Sequence, residues 1–323
     1  MDSTYLRGGS WMKLIIQIPC YNESETLPQT IGDLPKTVPG FDAVEYLVID
    51  DGSSDGTAQI AESLGVHHVV RMPRNRGLAA AFEKGLQTAV QLGADVIVNT
   101  DGDNQYRGEG ISDLVKPILD GEADMVIGNR RVETVPHFSR VKVFLQKVGS
   151  RVVRWSSGTD VPDATSGFRA FSREAALRLV IFSNYTYTLE TIIQAGKMGL
   201  TVTSIPIQTN PKLRESRLIR SIPVYLARSS VTILRIFLMY EALRTFLTLG
   251  LIPFTAGWIL VVRFLYFFAI GEGQGHIQSL ILAAILILVG FLIFLLGLLG
   301  DLIARNRRLM EELVFRVRKM ESE

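Results

Sequence analysis

The sequence predicts an α/β domain built on a parallel sheet, followed by interface helices and a two-helix membrane hairpin. Three observations predict it. Short β-branched runs alternate with helical patterns through the first two thirds of the chain. Three polar, acid-rich clusters each follow a strand directly. Two long runs after residue 240 carry almost no charge.

Leu14–Ile18, Tyr46–Ile49, His68–Arg71, Val96–Asn99 and Met125–Ile127 read as strands. Between them Ser24–Leu34, Thr57–Leu64, Leu78–Leu92 and Ile111–Leu119 space their apolar residues as helices do. Such alternation gives a parallel sheet with helices on both faces, and ligands bind such sheets beyond the carboxyl ends of the strands. The clusters "CYNE", "DDGSSDGT" and "TDGDNQ" all fall there. Residues 1–12 read as a loose extension, because the apolar run in "MKLIIQIPC" is too short for a signal peptide. The catalytic domain is expected over 13–215.

Phe246–Ile270 is apolar except for Arg263, and Ile277–Gly300 carries no charge. A bilayer needs roughly 20 such residues, so 245–300 reads as two spans. The connector "GEGQGH" has no Lys or Arg, whereas Arg228, Arg235 and Arg244 precede the spans and Arg305, Arg307, Arg308, Arg316, Arg318 and Lys319 follow them. Positive charge favours the cytoplasmic side, so the catalytic domain and the basic tail, 301–323, are expected there. The competing reading is a helical hairpin buried in a soluble core. Residues 216–244 mix arginines with large apolar side chains, which suits helices in the membrane interface or helices docking one domain on another. Arg263 is either functional, or it snorkels to the nearer headgroups or packs against a neighbouring helix.

Composition excludes some classes. Lys and Arg total 34 against 32 Asp and Glu, a net charge of +2, too balanced for a nucleic-acid binder. The single cysteine, Cys20, allows no intrachain disulfide, and the four histidines match no zinc spacing. There is no Walker loop and no Gly-rich dinucleotide fingerprint after the first strand.

The acids at the strand ends carry the chemistry. Asp101 and Asp103 repel each other unless a cation sits beside them, and Gln105 adds a third oxygen. Hard oxygen ligands suit Mg²⁺ or Mn²⁺, and the D-x-D-x-Q spacing puts all three on one side of an extended segment. Asp50 and Asp51 end the second strand, where a carboxylate can accept hydrogen bonds from a ribose or a base edge. Asp55 reads as a cap for the helix that begins near Thr57.

In this order and spacing, "IPCYNE", "VIDDGSSDGT", "NTDGDNQ" and "DATSGFRAF" resemble a family 2 glycosyltransferase with the GT-A fold. "GNRR", "YTLETIIQAGKMGLTVTSIPI" and the two C-terminal spans resemble its polyprenyl-phosphate branch. The resemblance implies a Rossmann-like, mostly parallel sheet and an inverting hexosyltransferase. The donor would be a UDP- or GDP-sugar and the acceptor an undecaprenyl or dolichyl phosphate. Pro19, Tyr21, Asn22 and Glu23 would hold nucleobase and ribose, with Asp50 or Asp51 on the base. Asp103 and Gln105 would ligate Mg²⁺ or Mn²⁺, with Asp101 and Gly102 near the ribose or the metal. Arg76 either covers the nucleotide or belongs to a surface loop. Asp163 would face the sugar and acceptor, as a base or as an orienting group, since a lipid phosphate is already an anion. Ser166 and Gly167 would shape the pocket, whereas Phe168 reads as core. Glu190 would lie near the sugar, unless it is a charge on a helix surface. Arg130, Arg131 and Lys142 are the candidates for the acceptor phosphate, and Arg214 and Arg217 for the diphosphate. A homo-oligomer is compatible with all of this.

Two rivals stand beside this reading. A processive polysaccharide synthase would carry Q-x-x-R-W, but Arg154-Trp155 follows Val152-Val153 with no glutamine in place. A non-catalytic nucleotide-sugar-binding membrane protein would have no need of the full set Asp101, Asp103, Gln105 and Asp163.

Overall fold

The computed structural model describes residues 11–130, 150–181 except 152, 155 and 156, then 187–211, 231 and 241–322. They form two units, one comprising residues up to 229 together with Leu313–Glu323, the other Ser230–Glu312.

The first unit is built on a seven-stranded sheet of order β3-β2-β1-β4-β6-β5-β7. β1 (Lys13–Cys20) is an interior strand, third of the seven, buried along all but its first residue, which is why its sequence is an apolar run without alternation. It pairs in parallel with β2 (Ala43–Asp50) on one side and β4 (Val96–Asn99) on the other, and β2 pairs in parallel with β3 (His68–Arg71). All five strands expected from the sequence are present. Two more were not expected, β6 (Arg169–Ser172) and β7 (Val202–Pro206). β7 extends β5 (Met125–Asn129) in parallel.

β6 matters most for the site. It runs antiparallel between β4 and β5, with Arg169 opposite both Asn99 and Ile127. Its first residue therefore lies where the parallel strands end, and the segment before it, Asp163–Phe168, emerges at the same edge as the acid clusters.

Helices cover both faces. One face packs Leu14, Ile16, Ile18, Val48 and Val98 against Leu27 of α1 (Leu27–Asp33), Ala61 of α2 (Thr57–Ser63) and Leu114 and Val115 of α4 (Ile111–Leu119). α3 (Leu78–Gln91) packs on β1 and β2. Its Gly85 is the contact point, since a Cβ there would come within 2.8 Å of Ile49 Cδ1. α5 (Arg173–Arg178) and α6 (Thr188–Lys197) follow β6. α1 starts later than the expected Ser24, with Pro28 in its first turn, where the missing N–H is of no consequence.

The second unit contains α7 (Ala242–Ala269), a short 3₁₀ turn over Gly273–His276, and most of α8 (Ile277–Glu321). Gly250 and Gly257 on α7, and Ala283, Gly290 and Gly297 on α8, recur every seven residues and are buried. A Cβ on Gly250 would sit 2.9 Å from the carbonyl oxygen of Gly290, and one on Gly290 equally close to that of Gly250. Small residues thus let the two backbones touch, while Phe254 and Phe294 fill the space beside them. The large apolar side chains point outward, with Ile252, Ile259 and Leu265 all more than half exposed. Within this unit the glycines are buried and the large apolar side chains are not, the reverse of a hairpin that fills a core. Both helices are long and apolar enough to cross a membrane. Arg263 is exposed, with its guanidinium 5.7 Å from the Phe267 ring. It lies about 9 Å from the end of α7 at ~1.5 Å per residue, a position that suits snorkelling.

α8 does not stop at Gly300. It continues unbroken to Glu321, so the stretch 301–321 is helical, and its last turns belong to the first unit. There Arg318 donates to the Leu179 carbonyl at 2.7 Å and to the Glu83 carboxylate at 3.2 Å, and Arg173 donates to the Ser322 carbonyl at 2.9 Å.

Candidate active site

The loops after β1 and β2 are bound to each other. Asn22, in the left-handed region at φ 55, donates its N–H to Ser53 Oγ at 2.9 Å and accepts at Oδ1 from the Ser54 N–H at 2.9 Å. The Glu23 N–H donates to Thr57 Oγ1 at 2.9 Å. Asp55 joins in, accepting the Ser24 N–H at one oxygen and the Thr57 N–H at the other. Burial is the largest single influence and opposes its charge, but the hydrogen bonds from Thr57 and Ser24 together outweigh it and draw its pKa down to about 2. The helix N-cap itself is Gly56, so Asp55 ties two loops together rather than capping α2 from the usual position. Glu23 is buried, and its Oε2 accepts from the Thr26 hydroxyl at 2.9 Å. Pro19 is buried in β1, whereas Tyr21 is 42% exposed.

Asp50 and Asp51 are both buried. Asp50 Oδ1 accepts the Ser53 N–H at 2.9 Å. Asp51 accepts the Arg76 N–H at 2.7 Å and the Gly77 N–H at 2.8 Å, one on each oxygen. Burial raises its pKa against the effect of these bonds. Gly52 completes the contact: it has φ 69, and a Cβ there would lie 2.5 Å from the Arg74 backbone. Asp51 is thus the post that holds the 74–77 loop over the turn, and it sets where Arg76, with its exposed side chain, enters α3.

After β4 the burial alternates residue by residue. Gly102, Asn104, Tyr106 and Gly108 are buried, while Asp101, Asp103, Gln105 and Arg107 are half-exposed. The three oxygen-bearing side chains are all half-exposed, but the segment turns at residues 102–104 and is not the extended stretch expected from the sequence. The inner side is pinned: a Cβ on Gly102 would sit 3.0 Å from Cys20 Sγ, and its carbonyl accepts from the Thr26 and Thr30 hydroxyls at 2.8 and 3.1 Å. Asp103 Oδ1 accepts the Gln105 N–H at 3.1 Å, which shapes the turn through Asn104 at φ 55.

The segment before β6 closes the site from the other side. Gly167 is gripped at both ends of its backbone. Its N–H donates to Tyr106 Oη at 3.0 Å, and its carbonyl accepts from Asn99 Nδ2 at 2.8 Å. A Cβ on Gly167 would lie 2.9 Å from both carboxylate oxygens of Asp101. Phe168 is buried and stacks on Tyr106, as core. Burial pushes the Tyr106 phenol up to about 12, so it stays neutral. Arg130 and Asp163 pair with each other through two guanidinium nitrogens at 2.8 and 3.0 Å, with Asp163 1% exposed.

Beneath them lies Arg169, fully buried without a carboxylate among its hydrogen-bond partners. It donates to the carbonyls of Ser166, Ala164 and Thr188 and to Thr191 Oγ1, all at 2.7 or 2.8 Å. Burial draws its pKa to about 10, which leaves it a cation at neutral pH. It fastens the Asp163–Phe168 segment to α6. Glu190 lies in the first turn of α6, buried and accepting from Gln194 Nε2 at 3.3 Å, so it is not a charge on a helix surface. Arg131, Lys142, Arg214 and Arg217 lie outside the described residues.

Sequence reasoning passed over Asn99, Tyr106, Thr165 and Arg169. Arg169 left a signal, since a charged residue inside the apolar "GFRAF" needs internal partners wherever it is buried.

Among the described residues no three His, Cys, Asp or Glu side chains converge on one point. The donor set of two carboxylates and an amide fits a hard divalent cation whose remaining ligands are diphosphate oxygens and water, as Mg²⁺ commonly takes.

The mostly parallel α/β sheet brings acids and a strand-end arginine to one carboxyl edge, the edge at which such sheets bind ligands. The pattern of the glycosyl transferase family 2 matches residues 15–179, and the chain belongs to that family. It is 32% identical over 206 residues to polyprenol monophosphomannose synthase of Mycolicibacterium smegmatis, covering 60% of this chain and 76% of that protein. It is 30% identical to undecaprenyl-phosphate mannosyltransferase of Micrococcus luteus, covering 61% of this chain and 83% of that one. In fold it matches glucosyl-3-phosphoglycerate synthase of Mycobacterium tuberculosis, crystallised with Mn²⁺, UDP-glucose and phosphoglyceric acid. There the TM-score is 0.57 at 22% identity, over 70% of this chain and 80% of that one.

Proposed function

We propose that the protein moves one sugar from a UDP- or GDP-linked donor to a polyprenyl phosphate, with inversion, at the cytoplasmic face of a membrane. One observation carries the reading. The half-exposed Asp101, Asp103 and Gln105 and the Arg130–Asp163 pair stand at one sheet edge, in a chain that also has two membrane-length helices. The names of the relatives supply the acceptor class, and the Mn²⁺ in the structural neighbour supports a divalent cation.

In this reading Tyr21 offers its exposed ring to the nucleobase. Asn22, Glu23, Asp50 and Asp51 act through the loops they hold, and Asp51 places Arg76 over the nucleotide. Asp101, Asp103 and Gln105 hold Mg²⁺ or Mn²⁺, with Gly102 setting the loop. The cation, when bound, offsets charge on the departing diphosphate. Arg130 meets the acceptor phosphate, joined by Arg131 and Lys142, while Arg214 and Arg217 serve the donor diphosphate. Glu190, buried and bonded to Gln194, lies near the sugar as a further catalytic group. The purified full chain, incubated with UDP- and GDP-sugars and with undecaprenyl or dolichyl phosphate, should give one polyprenyl-phosphate monosaccharide by mass spectrometry. Polymeric product would point to the processive synthase instead, and no product from any pair would contradict the reading.

A further inference from the structure

The Arg130–Asp163 pair has more bonds than charge neutralisation requires. Arg130 Nε donates to Asp163 Oδ2 at 2.8 Å, Nη2 donates to Oδ1 at 3.0 Å, and the Arg130 backbone N–H reaches Oδ2 at 3.3 Å. Thr165 Oγ1 accepts from Arg130 Nη2 at 2.8 Å and donates to Asp163 Oδ1 at 3.1 Å. The two planar groups meet fork to fork, an arrangement that fixes orientation as well as charge. The Arg130 side chain is 12% exposed against 2% for Asp163, so the arginine side of the pair is the one nearer the opening. Arg130 Nη1 makes no hydrogen bond to a described residue. The pair is backed by segments that are themselves held, with Arg169 on the carbonyls of Ala164 and Ser166 and Tyr106 on the Gly167 N–H.

A general base needs a lone pair aimed at the proton it takes, within hydrogen-bond reach. Both Asp163 oxygens already face donors, two on each, and a proton arriving there would have to displace Arg130. Burial alone would raise the carboxyl pKa, but Arg130 and Thr165 hold it below the ordinary carboxylate range. A buried ion pair of this kind adds little to stability once its desolvation is counted, so its use is to be sought in orientation.

We propose that Asp163 is a positioning residue: with Thr165 it fixes the plane of the Arg130 guanidinium so that its free edge meets the acceptor phosphate, and it takes no proton during transfer. The inference rests on the proposed function and goes one step beyond it. A phosphate monoester loses its second proton near pH 6, so at neutral pH the attacking oxygen carries none. That oxygen forms its bond to the anomeric carbon as the bond from this carbon to the diphosphate oxygen breaks. The electron pair leaves with the nucleoside diphosphate, and no proton is left for a base to remove.

The test uses the full chain in detergent with undecaprenyl phosphate and whichever of UDP-glucose, UDP-N-acetylglucosamine or GDP-mannose the wild type turns over. Asp163→Asn should raise the acceptor KM by about tenfold or more, the cost of loosening a buried charged partner. The donor KM should change by less than about twofold, because donor contacts are untouched. The acidic limb of the kcat profile should stay near pH 6 in wild type and variant alike, since it belongs to the substrate phosphate. Thr165→Val, a milder change that leaves the carboxylate in place, should shift the acceptor KM the same way by a smaller factor, and it keeps the test alive if Asp163→Asn fails to fold. The double variant Arg130→Gln/Asp163→Asn should behave as Arg130→Gln alone. A fall in kcat of about 10³-fold at unchanged acceptor KM, with rate restored by added formate, would make Asp163 a base and overturn the inference. Additive losses in the double variant, or an unaltered acceptor KM in Thr165→Val, would overturn it too. A wild type that turns over none of the three donors would contradict the proposed function itself, which separates the two failures.

Discussion

At Gly167 a single hydrogen atom decides where a carboxylate sits. The Asp101 oxygens occupy the space in which any other residue would place its Cβ, and Tyr187 Oη lies 3.1 Å from the same point. Gly167→Ala must push Asp101 outward or shift a backbone that Asn99 and Tyr106 hold at both ends. We expect a stability loss of roughly 1–3 kcal/mol, the usual range for overpacking a close contact. Weaker divalent-cation activation should accompany it. A thermal melt and an Mn²⁺ titration of activity check both, and wild-type behaviour in both would refute the placement of Asp101. Asp55 gives a pH signature. Its folded pKa of about 2 lies below the ordinary aspartate value of 3.8, so its contribution is complete above pH 4 and is lost as pH falls through 2. In urea melts the difference in stability between wild type and Asp55→Asn should therefore shrink steadily from pH 4 toward pH 2. A difference that stays constant over that window would remove Asp55 from the loop junction.

At the scale of elements, the last turns of α8 and the helices α3 and α5 make one assembly. Arg318 bonds the Leu179 carbonyl and Glu83, Arg173 bonds Ser322, and the Arg178 guanidinium lies 4.4 Å from the Phe315 ring. Hydrogen bonds that involve a charged group contribute about 1.5–3 kcal/mol when partly buried. Arg318→Ala should accordingly speed hydrogen exchange in Leu78–Gln91 and Arg173–Arg178, and unchanged exchange in both would show that the tail is not fastened there. This docking was not legible in the sequence, where six basic residues after a span read as a tail. The five strands that were legible are buried apolar runs, and their pattern is set by burial on both faces. β6 was missed because four residues headed by an arginine carry no such pattern; its position is dictated by the pairs it makes with β4 and β5. The acids of the site were legible because their chemistry is unusual at strand ends. Asn99, Tyr106 and Arg169 were not, because what they hold lies more than 60 residues away in the chain or in a segment whose path the sequence does not display.

For the whole molecule, the hairpin and the charge distribution make a claim about topology. α7 and α8 pack through glycines at seven-residue spacing and turn their large apolar side chains outward, as spans in lipid do. Cys20 is buried and is the chain's one cysteine, so single-cysteine variants should label with little background. Gln274→Cys should react with a membrane-impermeant maleimide from the non-cytoplasmic side and Lys319→Cys should not; labelling of both from that side would overturn the two-span arrangement. The central claim is that the strand-end acids of β4 hold a divalent cation for sugar transfer to a polyprenyl phosphate. Asp103 tests it most directly, since it is half-exposed and outside the core. The measurement is the rate of polyprenyl-phosphate monosaccharide formation by wild type, by wild type in EDTA with Mn²⁺ or Mg²⁺ restored, and by Asp103→Ala. The account predicts product from wild type, none in EDTA until the cation returns, and none from a variant that melts as wild type does. Full product from Asp103→Ala, or undiminished product in EDTA, would contradict it.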